Sequence, residues 1–147
     1  MQIKKIINKD IDETEVTISA NNNIDIDKIV YAINNIDKTI LCTYEGELFR
    51  IKWKDVFYFE SVDKKTFVYT QNKVFGINKK LYEIEDEMTD VFARCSKSYI
   101  INLSKVNCFK LSFESRMEAV LINDEKVIIN RHYVESIKKK LYGGEQK

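Results

Sequence analysis

The chain has 147 residues, 44% of them apolar and 12% aromatic, with a single histidine and a formal net charge of +1, which is enough for one good core plus a small accessory element. No apolar run approaches the ~20 residues needed to cross a bilayer, and the N-terminus MQIKKIINKD has neither an h-region nor a small-residue cleavage site, so a cytoplasmic location is expected. Cys42, Cys95 and Cys108 are odd in number and widely spaced in apolar, strand-like text, which argues against a disulfide framework or a C-x-x-C metal site and for buried reduced thiols.

Residues 1–50 hold 6 Lys/Arg and 9 Asp/Glu, a net of −3, against 18 and 14 in the remainder, a net of +4. The cationic excess therefore belongs to the C-terminal two thirds. In the leader, IKKIIN and EVTIS (Glu15 to Ser19) read as short strands. Ile26, Ile29, Val30, Ile33 and Ile36 then recur at helical spacing behind Asn23 or Asp25 as candidate caps. This predicts a β-β-α extension over residues 1–38, ahead of a main domain over residues 39–147.

From Thr39 the text alternates with period two, and turn signals recur at the short intervals of an all-β domain. Glu45-Gly46 closes a hairpin between TILCTY and ELFRI, Asp63-Lys64-Lys65 joins VFYFESV to TFVYT, and Gln71-Asn72-Lys73 leads into VFGI. A helix is predicted over Lys79 to Met88, capped by Asn78, with Leu81, Ile84 and Met88 on one face. Strands resume with VNCFKLSF, a turn at Glu114-Ser115-Arg116, MEAVLI, a turn at Asn123-Asp124, and EKVIIN. A closing helix begins near Asn130, lays Val134, Ile137 and Leu141 on the sheet, and ends at Gly143-Gly144.

Catalysis finds little support. His132 has no partner pattern for a Cys-His or Ser-His nucleophile, and glycine-rich turns for an oxyanion hole are lacking. Glu83, Glu85, Asp86 and Glu87 lie opposite the apolar stripe of their helix, where a solvated face explains them. Metal-ligand spacing and both glycine-rich phosphate motifs are absent, so no cofactor and no small-molecule substrate are expected.

The polar loops are more informative. Between Phe92 and Val106, Arg94, Ser96, Lys97, Ser98, Tyr99 and Asn102 gather cations, hydroxyls and an amide on one short connection. These are the side chains that satisfy phosphate oxygens or read base edges. Asn130-Arg131-His132-Tyr133 sits at the predicted start of the last helix, where a cation opposes the helix dipole but suits an approaching phosphate. Lys64, Lys65 and Thr66 form a third such site. Each cluster also has a plain structural reading: serine-capped turns, an Asn130 N-cap over a packed Tyr133, and lysines that block edge aggregation. Lys138-Lys139-Lys140 reads as a solvated face near a helix C-terminus.

As a set, these landmarks resemble the LytTR DNA-binding domain of bacterial transcription regulators. The match runs from Ile-x-Trp-x-Asp-Val-x-Tyr-Phe-Glu (Ile51 to Glu60) through F-x-R-x-x-K-S-Y-I-I-N-L-x-K-V to V-I-I-N-R-x-Y, over about residues 40–141. The resemblance implies a mainly β fold, an elongated stack of small antiparallel β-sheets with short helices, whose loops enter successive major grooves of double-stranded DNA. Base-reading positions carry over to Lys65 or Thr66, to Lys97, and to Arg131 or His132. Lys97 stands where an amide or hydroxyl-rich loop is common and His132 where a second arginine is frequent, which leaves base preference open. The resemblance further implies a transcription regulator acting as a homodimer on repeated half-sites, and with only ~40 residues ahead of the matched region, far short of a typical domain, a stand-alone member without a receiver domain is expected. A small membrane protein is a plausible inhibitor, and the acidic leader a dimer or partner surface or else a cover for the sheet. The alternative is a protein-interaction module on the same scaffold with little DNA affinity.

Overall fold

A computed structural model describes residues 3–111, 114 and 116–142. The chain divides into two units, residues 1–34 and 35–147. In the first, the described residues before Asn23 form no strand: IKKIIN and EVTIS, expected as strands, pair with nothing, and Ile3, Ile6, Ile7 and Val16 are all more than 60% exposed. A strand needs a neighbour for its N–H and C=O groups, and although the chain turns at Lys9-Asp10, the two runs do not pair. Helix α1 (Asn23–Asn35) does form. Its cap is Asn22 rather than Asn23 or Asp25, the Asn22 side-chain carbonyl accepting the Asp25 amide at 3.1 Å.

The second unit opens with β1 (Thr39–Tyr44) and β2 (Glu47–Lys52), joined at Glu45-Gly46. Both turn residues take positive φ, 49° and 80°, the two-residue geometry whose twist matches paired strands and favours glycine second. Asp63 and Lys64 repeat it at 50° and 66° between β3 (Tyr58–Val62) and β4 (Lys65–Tyr69). Lys65 therefore belongs to the strand, paired with Val62, and not to the turn. β5 (Val74–Ile77), α2 (Leu81–Glu87), β6 (Phe92–Arg94) and β7 (Tyr99–Asn102) follow. The strands so far make one antiparallel sheet in the order β2-β1-β5-β4-β3-β7-β6.

β8 (Val106–Leu111), β9 (Met117–Leu121) and β10 (Lys126–Ile129) make a second, three-stranded sheet, and α3 (Arg131–Tyr142) closes the described chain. Two antiparallel sheets with short helices are thus the mainly β architecture expected, gathered here into one large sheet and one small. The β1–β2 hairpin joins the large sheet through a single bridge pair, Thr43 with Gly76. A Cβ on Gly76 would stand 3.0 Å from Thr43 Oγ1, so a side chain there would make the Thr43 hydroxyl give way by a few tenths of an ångström.

Burial explains why the central strands read as continuous apolar text. Phe59 and Ile100 face one core, with Trp53, Val68, Leu81, Ile84 and Phe92, while Tyr58 and Ile101 face another, with Met117, Leu121, Ile129, Val134 and Ile137. A sheet covered on both faces loses polar alternation. In the first core Trp53 meets Phe92 edge-on at 5.3 Å and Phe59 at 5.6 Å, and its indole N–H donates to the Thr39 carbonyl.

Three further expectations need correction. α2 is capped from Lys80, whose amide donates to the Glu83 carboxylate at 2.7 Å, and not from Asn78, which lies too far ahead of the first turn. Cys42 and Cys95 are buried free thiols, but Cys108 is exposed, because β8 has only one neighbour and turns that side chain outward. Leu141, expected on the sheet with Val134 and Ile137, is 43% exposed one residue before the end of α3, whereas Met88 packs, partly buried, on the core with Leu81 and Ile84 as expected. Gly143-Gly144, together with Ser112, Phe113 and Ser115 of the β8–β9 connection, lie outside the described residues.

Candidate nucleic-acid interface

Strand direction brings three connections to one end of the large sheet. β3 ends at Val62 and enters the Asp63-Lys64 turn; antiparallel to it, β7 begins at Tyr99, fed by the 95–98 loop. Glu60 pairs with Tyr99, and the Ser61 amide donates to the Ser98 carbonyl at 2.8 Å. The β10–α3 junction arrives at the same place, since the Asn130 amide donates to the Cys95 carbonyl at 2.7 Å. Segments more than thirty residues apart in sequence thus become neighbours through backbone hydrogen bonds.

Six of the predicted site residues are exposed and charged or polar on these segments: Lys64, Lys65, Lys97, Asn130, Arg131 and His132. Asn130 is the N-cap of α3, its side-chain oxygen accepting the His132 amide at 3.1 Å. The His132 ring stands edge-on to Tyr133 at 5.1 Å. Ser96 Oγ accepts the Ser98 amide at 3.1 Å, so these serines shape the loop, as their plain reading holds.

Of four further residues of the predicted set, Asn102 and Thr66 are buried, and Tyr99 and Arg94 are partly buried with their polar groups bonded inside the protein. Asn102 is fully buried: its amide nitrogen donates to the Val56 carbonyl at 2.8 Å, and its oxygen accepts from the Ser104 amide and hydroxyl at 3.0 and 2.7 Å. Thr66 is buried, because β4 alternates and Lys65 takes the outward position. The Tyr99 hydroxyl donates to Glu60 Oε1 at 2.5 Å. Arg94 is half-buried; its Nε and Nη2 donate to the Ser96 and Lys97 carbonyls, each at 2.6 Å, and its Nη1 pairs with Glu85 of α2. The sequence read these four as contacts because their chemistry suits one. In this structure the polar groups of Arg94, Tyr99 and Asn102 bond within the protein and brace the segments around them.

Sequence reasoning missed two groups. Arg116 and Lys126 line a cleft of about 860 Å³ with Ser96, Tyr99, Asn130 and Arg131. Only the pairing of β9 with β10 brings them there, so no local motif announces them. Lys80 Nζ donates to the Lys64 carbonyl at 3.3 Å, adding a third lysine beside the β3–β4 turn. Cys95 lies under the loop, and burial pushes its thiol up to about 12, so it stays protonated and packs as a small apolar group.

The scaffold is covered on both faces and carries exposed cations on three neighbouring segments at one sheet end, with no group of metal-ligating side chains among the described residues. Residues 46–142 match the family model of the LytTr DNA-binding domain, and the chain belongs to that family. It is 28% identical over 144 residues to uncharacterized HTH-type transcriptional regulators of Staphylococcus aureus strains NCTC 8325 and COL, covering 96% of this chain and 98% of each relative. A solved LytTr DNA-binding domain from Bacillus cereus superimposes with a TM-score of 0.68 at 24% identity, covering 71% of this chain and 97% of that one. Despite the printed designation of the staphylococcal relatives, no two successive helices are joined by a short turn among the described residues here; strands separate α1, α2 and α3.

Proposed function

We propose that this protein is a DNA-binding transcriptional regulator whose three segments 63–65, 95–98 and 130–132 enter successive major grooves of a duplex. The observation that carries this reading is the convergence of Lys64, Lys65, Lys97 and Arg131, all exposed, at one end of the sheet in a member of a DNA-binding family. Lysine and arginine supply the charge that phosphates need, and both also read guanine edges. The family relatives named as transcriptional regulators align over nearly the whole chain, the N-terminal unit included. That unit, with Val30 and Ile33 exposed on α1, is our choice for the contact between two copies bound at repeated half-sites.

A salt-titrated gel shift tests the reading, using a duplex that the protein itself enriches from a random-sequence pool. The logarithm of the binding constant should fall linearly with that of salt, with a slope of about −0.9 for each phosphate neutralised. No enrichment, or binding indifferent to salt, would refute the proposal.

Arg94 offers a second check, because its guanidinium grips two loop carbonyls in place of DNA. Lysine keeps the charge but cannot make this forked contact. Arg94→Lys should therefore weaken binding about tenfold, the loss expected when hydrogen bonds worth about 1.4 kcal/mol no longer hold the loop. A direct phosphate contact would survive the exchange with little change in the same gel shift.

A further inference from the structure

Glu60 is the acidic residue closest in sequence to the β3–β4 turn from within the scaffold, and its charge opposes any phosphate that approaches. Its position explains another role. It sits half-buried on β3, two residues before the strand ends, and its carboxylate accepts two tyrosine hydroxyls. Oε2 takes that of Tyr69 at 2.7 Å, and Oε1 that of Tyr99 at 2.5 Å. Tyr69 lies on the strand that leaves the 63–64 turn; Tyr99 is the first residue after the 95–98 loop. One carboxylate therefore ties together the two strands that carry two of the three loops. Tyr69 is held from its other side by stacking on Tyr58, with ring centroids 4.2 Å apart.

Backbone pairing of β3 with β7 fixes the distance between the strands but leaves the outer side chains free to shear. Charge-assisted hydrogen bonds to one carboxylate restrict that freedom, since both oxygens belong to a rigid plane. Burial, followed by the hydrogen bond to Glu60, pushes Tyr69 up to about 12 and moves Tyr99 in the same direction. Both hydroxyls thus remain donors at neutral pH.

We propose that Glu60 is a positioning residue that sets the spacing between the 63–65 and 95–98 loops, and through that spacing the sequence specificity of DNA binding. The inference rests on the DNA-binding reading above. Charge and positioning have opposite consequences here, which makes them separable. Removing the carboxylate charge strengthens binding to any duplex, whereas releasing the loops weakens binding only where both must meet their bases in register.

The test compares Glu60→Gln, Tyr69→Phe and Tyr99→Phe with the unaltered chain, against the duplex that the unaltered chain enriches and a scrambled duplex of equal composition. Thermal melting is followed in parallel. Phenylalanine keeps ring packing and removes only the hydroxyl, so these two variants should fold. Each is expected to bind the enriched duplex about tenfold more weakly, with scrambled-duplex affinity and salt slope unchanged. Glu60→Gln should lose at least as much on the enriched duplex while binding the scrambled one more tightly. If the three variants keep the wild-type ratio of the two affinities, Glu60 does not position the loops and the inference falls alone. If the unaltered chain enriches no duplex, the DNA-binding reading falls and takes this inference with it.

Discussion

Replacing Arg131 with alanine is expected to lower affinity for the enriched duplex by about 5- to 150-fold, the span of a lost arginine contact worth roughly 1–3 kcal/mol. The free protein should respond in the opposite sense. Arg131 is the first residue of α3, exposed, just after the Asn130 cap. A cation there opposes the positive end of the helix dipole, so its removal should leave the melting temperature unchanged or raise stability by about 0.3 kcal/mol. Loss of binding without loss of stability, measured by gel shift and calorimetry on one preparation, is the signature of a side chain that serves the ligand and not the fold. A melting point that drops along with the affinity would assign Arg131 to the scaffold.

Asn102→Ala should show the reverse, a large loss of stability from a residue whose polarity suggests a surface role. Its side chain is wholly buried and bonds at both ends: to Val56, itself buried, and to the Ser104 backbone and hydroxyl. Ser104 is exposed and can turn to water, but the Val56 carbonyl, bonded to the Asn102 amide, loses that partner. An orphaned buried acceptor and the small cavity left by truncation together cost on the order of 2–4 kcal/mol. For a domain of this size that lowers the melting temperature by roughly 5–15 °C. Lys97→Ala, on the exposed loop between β6 and β7, should leave melting unmoved. Equal melting curves for the two variants would contradict the account of Asn102 as a bolt between β7 and the turn before β3.

The contrast between these residues shows what was legible in the sequence. Hairpins were, because Glu45-Gly46 and Asp63-Lys64 carry the local chemistry of tight turns, whereas the β1–β5 and β3–β7 pairings join strands that no turn connects. The family was legible too, since the F-x-R and S-Y-I-I-N-L blocks fall at fixed spacing. Side-chain direction was not. Arg94, Tyr99 and Asn102 have the donors and acceptors of an interface, and sequence alone does not distinguish a donor aimed at a partner from one aimed at Ser96, Glu60 or Val56. Those targets lie across strands, and register decides them. The N-terminal runs failed for a related reason: IKKIIN and EVTIS have strand composition, but a strand exists only with a neighbour, and composition names none.

The central claim is that three separate segments meet one duplex together. Titrating the enriched duplex into the 15N-labelled chain and following backbone amides by NMR tests it most directly. The account predicts that amides of 63–65, 95–98 and 130–132 shift in concert and saturate at the same DNA concentration, while those of the β1–β2 hairpin stay still. Shifts confined to one segment, or centred on the β1–β2 hairpin, would contradict it.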